Sequence, residues 1–489
     1  MSTRQFLLGL CKVFLPLVQE TTNVNTLLLS LVCSSLAIIA LAIIVFYNIM
    51  THNQCFLTGP SRTVASTLRV SVLSNEIALT TMQALQNMPI EKILSKATKY
   101  AEENPMIVGA YAAAAIISGL VLFRKADMKR DGNDYDSQLT GGMKILNNTD
   151  HTLKGNEFES SILDYENMFS GAREETGAIT SEESIEVRKE KYANMVNHFY
   201  NLVTDFYEWG WGQSFHFGPR WHNEDFVESI KRAEYHLCSR LGLKPGHKVL
   251  DVGCGVGGPM RNMAYFSGAS IEGITINQYQ VNIGNKYNEQ NGLADTCKLV
   301  QGDFQTLPWP DQYFDHAYEV EATCHSPDRV VTFSGVNRVL KPGGMFTGYD
   351  WVVTDKYDPN DKDHVRIKEG IEVGNGLPTL ATPQHVIECL EKSGFEVLDH
   401  YDANSGVHNK FEIPWYETLN GKMSVSGFRM THTGRMCTHA MVWTLELLRI
   451  APAGSTRVSA LLNATAIDLC DGGKLEIFTP SYFFIARKK

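Results

Sequence analysis

A run of glycines that follows an acidic residue is the part of this sequence best suited by residue type and spacing to do chemistry. Gly253, Gly255 and Gly257 follow a short, mostly apolar segment, residues 248–252, which contains Asp251. Glycines let the backbone turn tightly and approach a ligand closely. The pattern predicts a strand, a tight turn and a helix that hold a ligand.

A second candidate region is the dense run of aromatic residues at 198–217, which also contains two acids. The faces of aromatic rings attract cations, by about 0.5 kcal/mol at exposed sites and about 2 kcal/mol where the cation is desolvated. The stretch therefore suits a site that handles positive charge, and a packed aromatic core is the alternative interpretation. The stretch contains ten aromatic rings, histidines included, and its acids are Asp205 and Glu208.

Both regions need a scaffold that brings them together. Apolar segments at residues 269–277, 298–304, 314–321 and 339–349 continue an alternation of strand and helix. Such alternation predicts an α/β fold with a parallel sheet, of the Rossmann-like kind. Ligands bind at the carboxyl ends of the strands in such sheets. The end of the segment at 314–321, with the residues from Glu321 to His325, is therefore expected to face the ligand.

The overall composition argues against some classes of function. The formal net charge of −10 is unlike that of nucleic-acid-binding proteins, which usually carry a basic excess. The ten cysteines include no C-x-x-C pair, so the sequence predicts neither a zinc site nor a disulfide framework. We therefore expect no metal cofactor and no nucleic-acid partner.

Two apolar segments near the N-terminus predict transmembrane helices. Residues 26–47 lie in a stretch without Asp, Glu, Lys or Arg, and they are long enough to span a bilayer as a helix. Residues 106–123 are a shorter candidate, and Arg124 and Lys125 follow them directly. Positive residues favour the cytoplasmic side of a membrane. We therefore expect a bilayer-bound protein in which the residues after 124 face the cytosol.

The chain divides into five predicted regions. A membrane-anchor region, a linker and an N-terminal cap with the aromatic stretch precede a ligand-binding core and a C-terminal domain. Their predicted bounds are 1–130, 131–154, 155–240, 241–400 and 401–489.

The acid and glycine pattern at Asp251, with the strand segments that follow it, resembles the methyltransferases that use S-adenosylmethionine (SAM). The resemblance implies that Asp251 lies near the methionine amine of SAM. Thr275 and Gln280 are then expected to hold the ribose hydroxyls, Asp303 the adenine amine, and Tyr200 the SAM carboxylate. The implied cofactor-binding residues are Tyr200, Asp251, Gly253, Gly255, Gly257, Thr275, Gln280, Asp303 and Phe304.

The aromatic stretch resembles the sterol 24-C-methyltransferases, and so do several later segments. Those segments are residues 321–325, 349–359, 413–416 and 472–488. The resemblance covers roughly residues 160–489. The sequence departs from the family at Asp350, where Glu is common, and in its two long N-terminal apolar segments. The resemblance implies a C-terminal domain that closes a sterol pocket and a location at the endoplasmic reticulum, where sterols are made.

The family's reaction implies roles for the candidate residues. The double bond between sterol carbons 24 and 25 attacks the methyl group of SAM, and a carbocation forms at carbon 25. A hydride then moves from carbon 24, and a base removes a proton, which usually leaves a 24-methylene group. The rings expected to line the pocket are Tyr207, Trp209, Trp211, Phe215 and Phe217. Glu208, Glu321 and His325 are candidate bases or stabilisers of the cation, and the sequence does not rank them.

Two alternatives stay open at this point. The chain could methylate another lipid-like acceptor, such as a tocopherol precursor, a phosphobase or an acyl chain. It could also be a membrane-tethered scaffold that keeps the fold without catalysis, although Asp251 and Asp303 are intact. The sequence also leaves open whether the chain forms a homo-oligomer.

Overall fold

The computed structural model describes residues 155–489, apart from 177–180, 223, 406–410, 421–429, 448 and 450. The predicted membrane-anchor region, with its segments 26–47 and 106–123, and the predicted linker lie outside the described residues. Within the described part of the chain, no helix combines the length and the apolar character needed to cross a membrane.

The described elements alternate between helices and strands through the middle of the chain. The helices are α1 (Gly155–Thr176), α2 (Glu182–Glu190), α3 (Tyr192–Trp211), α4 (Phe226–Leu241), α5 (Gly258–Ser267), α6 (Gln278–Gln290), α7 (Arg329–Val339), α8 (Lys362–Asn375), α9 (Pro383–Lys392), α10 (Glu417–Asn420), α11 (His432–Leu447) and α12 (Ser455–Lys474). The strands are β1 (Arg220–Trp221), β2 (Lys248–Val252), β3 (Ser270–Thr275), β4 (Cys297–Gln301), β5 (Phe314–Val320), β6 (Leu340–Val353), β7 (Phe395–Asp402), β8 (Glu412–Ile413) and β9 (Phe478–Lys488).

Seven of the described strands form one sheet, in the order β4-β3-β2-β5-β6-β9-β7. Strands β2 to β6 are parallel to one another, and β9 runs antiparallel to both of its neighbours. The parallel strands coincide with the segments expected from residues 248–349, and α5, α6 and α7 occupy three of the four connections between them. The predicted α/β fold is therefore confirmed.

Strand β9 comes from the last residues of the described chain, and the sequence does not predict it or β7. Phe484 of β9 lies opposite Gly348 of β6 and His400 of β7. Successive residues of a strand point to opposite faces, and Phe483 and Phe484 accordingly enter different core clusters. The sheet thus crosses the predicted boundary at residue 400 and joins the core region to the C-terminal region.

Helices bury apolar side chains against both faces of this sheet. On one face, α7 and α9 contribute Phe333 and Leu390 to a core shared with β5 and β6. On the other face, α4 and α5 contribute Leu237 and Met260 to a core shared with β2 and β3. Burial on both faces explains why the central strands are nearly continuous apolar segments.

A cap of helices completes the described part of the molecule. Tyr165 of α1, Phe199 of α3 and Val458 of α12 form a buried cluster. Helices α8 and α12 cross closely, because a Cβ atom at Gly374 would lie only 1.8 Å from Thr465 Oγ1. This cap fixes α3, which carries the first half of the aromatic stretch.

Candidate active site

A cavity of about 790 Å³, which includes some space open to solvent, lies at the carboxyl ends of strands β2 to β5. Helix α3 lines one side of it, and the turns that follow the strands line the other. This is the place where open α/β sheets bind their ligands. The predicted site residues that line the cavity are Tyr200, Phe215, Asp251, Gly253, Gly255, Thr275, Gln280, Asp303, Phe304, Glu321 and His325.

The glycine turn after β2 forms one wall of the cavity. Gly253 and Gly255 have φ angles of 81° and 53°, which residues with a Cβ atom rarely adopt. A Cβ atom at Gly253 would also lie 2.4 Å from that of Ala322, so only glycine fits between the turns after β2 and β5. Gly257 does not line the cavity. It precedes the first residue of α5, with a φ of 78°.

Gly258 brings the aromatic stretch against this glycine turn. A Cβ atom at Gly258 would lie 2.1 Å from the backbone oxygen of Gln213. Gln213 itself lines the cavity, and its Oε1 accepts a hydrogen bond from Arg261. The Phe215 ring comes within 3.7 Å of where a Cβ atom at Gly255 would stand. The turn and the stretch therefore form one continuous surface.

The carboxyl group of Asp251 is buried near the end of β2 and lines the cavity. Its Oδ2 accepts a hydrogen bond of 2.7 Å from the Tyr318 hydroxyl. Burial raises the pKa of Asp251 to about 7, although the hydrogen bond from Tyr318 acts to lower it. A nearby positive charge favours the ionised form of such a group, so Asp251 is suited to a cationic part of a ligand.

Thr275 and Gln280 lie together at the end of β3, as the sequence predicts. Thr275 Oγ1 donates a hydrogen bond of 2.7 Å to Gln280 Oε1, and Gln280 Nε2 donates one of 3.3 Å to Thr204 Oγ1 on α3. Both residues line the cavity. Hydroxyl and amide groups can form several hydrogen bonds at once, so the pair can also hold ligand hydroxyls.

Asp303 follows β4 and faces α3. Its Oδ1 accepts a hydrogen bond of 2.8 Å from the backbone N–H of Gln305. Burial, together with the nearby Asp303 carboxylate, raises the pKa of Tyr192. Tyr192 lines the cavity and stays protonated near neutral pH, so an acid and a hydroxyl are available side by side.

Glu321 follows β5 in a left-handed backbone conformation, with a φ of 57°. Its Oε1 accepts a hydrogen bond of 2.8 Å from the backbone N–H of Phe217, and its Oε2 accepts one of 2.7 Å from Trp351 Nε1. Burial raises the pKa of Glu321 well above its usual value, and these two donors oppose that rise only in part. Strained backbone is concentrated at functional sites, and here it places a carboxyl group with fixed orientation in the cavity wall.

Tyr200 and His325 form a hydrogen-bonded pair in the cavity wall. Tyr200 Oη lies 3.0 Å from His325 Nε2, and His325 Nδ1 lies 3.1 Å from the backbone oxygen of Gly376. A carbonyl oxygen only accepts hydrogen bonds, so Nδ1 carries the proton. Burial lowers the pKa of His325 to about 4, so the ring is neutral at pH 7, and Nε2 accepts the Tyr200 proton. Toward the cavity, the Tyr200 oxygen can then only accept hydrogen bonds. A carboxylate is also an acceptor, so this arrangement does not suit the expected contact between Tyr200 and the SAM carboxylate.

The two acids of the aromatic stretch contact α6 and do not line the cavity. Asp205 accepts a hydrogen bond from the Tyr279 hydroxyl, and Glu208 accepts one from the Tyr287 hydroxyl, each at 2.5 Å. Residues three apart on a helix lie on the same face, so both acids attach that face of α3 to α6. The role of Glu208 as a base stays a prediction, and its position indicates that it fixes α3.

The predicted aromatic residues divide into two groups. Phe215 lines the cavity, and Tyr207 packs edge-on against it, with ring centroids 5.5 Å apart. Trp211 and Phe217 do not line the cavity and belong to a separate core cluster beside β6. The side chain of Trp209 lies outside the described ones. The packed-core interpretation therefore applies to Trp211 and Phe217.

Some cavity-lining residues are absent from the sequence prediction. Tyr192, Val196 and Tyr200 follow one another at intervals of four residues on α3, and all three line the cavity. Because Tyr200 is a predicted site residue, the helical spacing could have predicted Tyr192 and Val196 on the same face. Gln213 and His216 also line it. Their position depends on the contact between the aromatic stretch and the glycine turn, for which the sequence carries no local signal.

Two protein-family descriptions match the chain. A methyltransferase domain matches residues 250–347, which contain the glycine turn and strands β3 to β5. The C-terminal region of sterol methyltransferases matches residues 425–489, which contain α12 and β9.

The chain is also similar to individual proteins. Cycloartenol-C-24-methyltransferase 1 of Oryza sativa subsp. japonica is 44% identical over 352 residues, which cover 71% of this chain and 98% of the rice protein. The sterol 24-C-methyltransferase of Saccharomyces cerevisiae is 42% identical over 317 residues, covering 63% of this chain and 82% of the yeast protein. Among solved structures, the Mycobacterium tuberculosis cyclopropane synthase MmaA2 matches with a TM-score of 0.45 and 15% identity, covering 62% of this chain and 98% of that one.

Proposed function

Because this chain belongs to the sterol 24-C-methyltransferase family, we propose that its cavity is where a methyl group passes from SAM to carbon 24 of a sterol, in sterol biosynthesis. The chain is a SAM-dependent C-methyltransferase. The assignment of a sterol as the substrate rests on the 44% identity to a cycloartenol-C-24-methyltransferase, which extends over 98% of that protein. The scaffold alternative loses its support, because the chain belongs to a family of enzymes.

The chemistry of the cavity fits SAM. Gly253 and Gly255 carry no side chain, so a ligand can approach their backbone closely. Asp251 supplies an acid for the ammonium group, and Thr275 with Gln280 supplies hydrogen bonds for ribose hydroxyls. When bound, SAM supplies an electrophilic methyl group on a sulfonium centre.

The remaining cavity residues serve the sterol side of the reaction. Phe215 offers a ring face to a developing positive charge, and the Glu321 carboxyl group lies in the same wall. Alkylation of a double bond needs no base, so these groups first align the alkene and exclude water. A proton acceptor is needed only after the carbocation has formed.

The function is tested by incubating purified protein with methyl-labelled SAM and a panel of sterols. We expect a labelled product only from sterols with a 24,25 double bond, because the alkene is the nucleophile. Lipid acceptors of other kinds, such as a tocopherol precursor and an unsaturated acyl chain, are included in the panel. Glu321→Gln should lower turnover strongly, whereas Glu391→Gln, a matched change on the surface of α9, should leave it unchanged. Labelling of another lipid, with no labelled sterol, would overturn the proposal.

We also propose that residues 26–47 and 106–123 anchor the enzyme in the endoplasmic reticulum membrane, with residues 155–489 in the cytosol. The charge-free segment, the basic residues Arg124 and Lys125, and the lipid nature of the substrate support this arrangement. Whether the protein forms a homo-oligomer stays a prediction to test on the same material.

Membrane attachment is tested by fractionating cells that express the full chain or a chain that lacks residues 1–130. We expect the full chain in the membrane pellet after carbonate washing and the shortened chain in the supernatant. Protease added to intact microsomes should digest the catalytic part. A full chain that carbonate releases from the pellet, or a catalytic part that intact microsomes protect, would contradict the anchor or its orientation.

A further inference from the structure

We propose that Tyr200 and His325 form a relay that removes the proton at the end of the reaction, with Tyr200 Oη as the proton acceptor at the substrate. The proposal rests on the function proposed above and identifies the base. Tyr200 is the catalytic residue in this proposal, because it lines the cavity in which the substrate is proposed to react. His325 acts through it, because Tyr200 Oη lies 3.0 Å from its Nε2.

The geometry fixes the direction in which a proton can travel. His325 Nδ1 donates to the backbone oxygen of Gly376 at 3.1 Å, so Nε2 is the accepting nitrogen of the neutral ring. The Tyr200 proton therefore points at Nε2, and the lone pairs of the phenol oxygen can accept a proton from the other side. An oxygen that can accept one proton while it hands on another is the arrangement that a relay needs.

The end of α8 holds His325 in this state. Gly376 follows the last residue of α8 with a φ of 64°, and its Cβ position would lie 3.2 Å from the Phe199 ring. The carbonyl that accepts from Nδ1 is thus fixed between the helix end and α3. Carbonyl groups at a helix C-terminus carry partial negative charge, which stabilises an imidazolium ion beside them.

The two acids that compete for the role of base are less well placed. Glu208 does not line the cavity, and it accepts a hydrogen bond from Tyr287 on α6. Glu321 lines the cavity, but each of its oxygens accepts a hydrogen bond, from Phe217 and from Trp351. A carboxyl group held in this way has both oxygens oriented by the two donors, and it stays in place beside the positive charge of the intermediate while the proton leaves by another route.

The relay step conserves atoms and charge. One C–H bond of the newly transferred methyl group breaks, and its electron pair forms the double bond to carbon 24. The proton passes to Tyr200 Oη, the phenol's own proton passes to His325 Nε2, and the ring becomes an imidazolium ion. The single positive charge that was on the carbocation is then on His325. Burial lowers the pKa of this ring to about 4, so the proton is released after turnover.

Methyl-deuterated SAM tests this assignment, because the proton that is lost comes from the transferred methyl group when a 24-methylene sterol forms. In His325→Gln, the amide can still accept from Tyr200 but cannot take up a proton. We expect olefin formation to fall by about 10²–10⁴-fold, with a larger deuterium isotope effect on turnover than in the wild type. SAM affinity measured by calorimetry should be unchanged, because neither ring nitrogen of His325 is free to contact SAM.

Two further variants separate the relay from a structural role. Tyr200→Phe removes only the hydroxyl, and it should raise the isotope effect in the same way. Glu321→Gln should slow methyl transfer itself without raising the isotope effect, because it weakens stabilisation of the cation.

The relay is overturned if His325→Gln and Tyr200→Phe both form olefin at the wild-type rate. It is also overturned if Glu321→Gln is the variant that raises the isotope effect. A wild-type enzyme that methylates no sterol would instead overturn the proposed function.

Discussion

Buried acids in this protein differ chiefly in the groups that donate hydrogen bonds to them. Asp205 and Glu208 each accept from a tyrosine of α6, which makes them part of the attachment of α3. Glu321 accepts from a backbone N–H and an indole, and it lines the cavity. Asp251 accepts from one phenol and lines the cavity at the glycine turn. Residue type alone therefore does not assign a role, and the surrounding donors do.

The affinity for SAM should depend on pH through Asp251. Burial raises the pKa of this carboxyl group to about 7, and a cationic ligand binds best to its ionised form. Below pH 7, SAM binding must release the proton, so affinity should rise as pH increases toward 7 and level off above it. The dissociation constant, measured by calorimetry between about pH 5.5 and 7.5, should fall by up to about tenfold per pH unit at the acidic end.

Two variants show whether Asp251 is the titrating group. Asp251→Asn should bind SAM weakly and with no pH dependence, because the amide does not ionise. Thr275→Val should also weaken binding, yet it should keep the wild-type dependence on pH. A wild-type dissociation constant that is constant across this range would contradict the assignment.

At the scale of elements, the cap depends on two helices that approach more closely than side chains normally allow. Gly370 and Gly374 lie one turn apart on α8 and face Asp468 and Thr465 of α12, where Cβ atoms would come within 2.0 and 1.8 Å of side-chain oxygens. Small residues at the crossing let the helices pack with their backbones near each other. The end of α8 then reaches His325 and Tyr207, so this crossing positions part of the cavity wall.

Gly374→Ala should destabilise the protein, because the added methyl group forces α8 away from α12. Overpacking of this kind costs about 1–3 kcal/mol, and the loss can be measured by chemical denaturation. Gly210→Ala is the matched control: Gly210 is also helical, but no atom lies within 4 Å of its Cβ position. There the gain in helix propensity should stabilise the protein by about 0.5–1 kcal/mol. Equal effects of the two substitutions would show that the crossing is not tight.

At the scale of the whole molecule, the last strand of the chain completes the sheet that binds the ligand. β9 pairs with β6 on one side and β7 on the other. It follows directly after α12, which belongs to the cap. The C-terminal region therefore contributes to the core and to the cap at once. The sterol methyltransferase C-terminal match, over residues 425–489, covers both α12 and β9.

Phe484→Ala should destabilise the entire described fold. The ring is fully buried and packs at 5.1 Å from the Phe346 ring of β6 and 6.2 Å from the Phe333 ring of α7. Truncation of such a ring costs about 3–5 kcal/mol, which is measurable as a lower denaturant midpoint.

Leu398→Ala provides the comparison in the neighbouring strand β7, where the side chain is 44% exposed. Its effect should stay within about 0.5 kcal/mol. A small loss of stability in Phe484→Ala would indicate that β9 is a peripheral addition to the sheet.

The sequence by itself determined the parts of this protein that depend on local order. A strand, a glycine turn and a helix are contiguous, so Asp251 and Gly253 could be placed from spacing alone. Parallel strands end at the same edge of a sheet, so Thr275, Asp303 and Glu321 could be expected to meet in one cavity, and all of them line it. The recurrence of strand and helix likewise sufficed for the α/β fold.

Only the tertiary structure decided which groups face the cavity and which ones hold the scaffold. Tyr200 and His325 are 125 positions apart, and no local pattern links them to Gly376. The same holds for Glu208 and Tyr287, whose hydrogen bond ties one of the three candidate bases to α6, outside the cavity lining. The physical reason is that a buried polar group must find a partner wherever the fold supplies one. That partner, rather than the residue's neighbours in sequence, sets its chemistry.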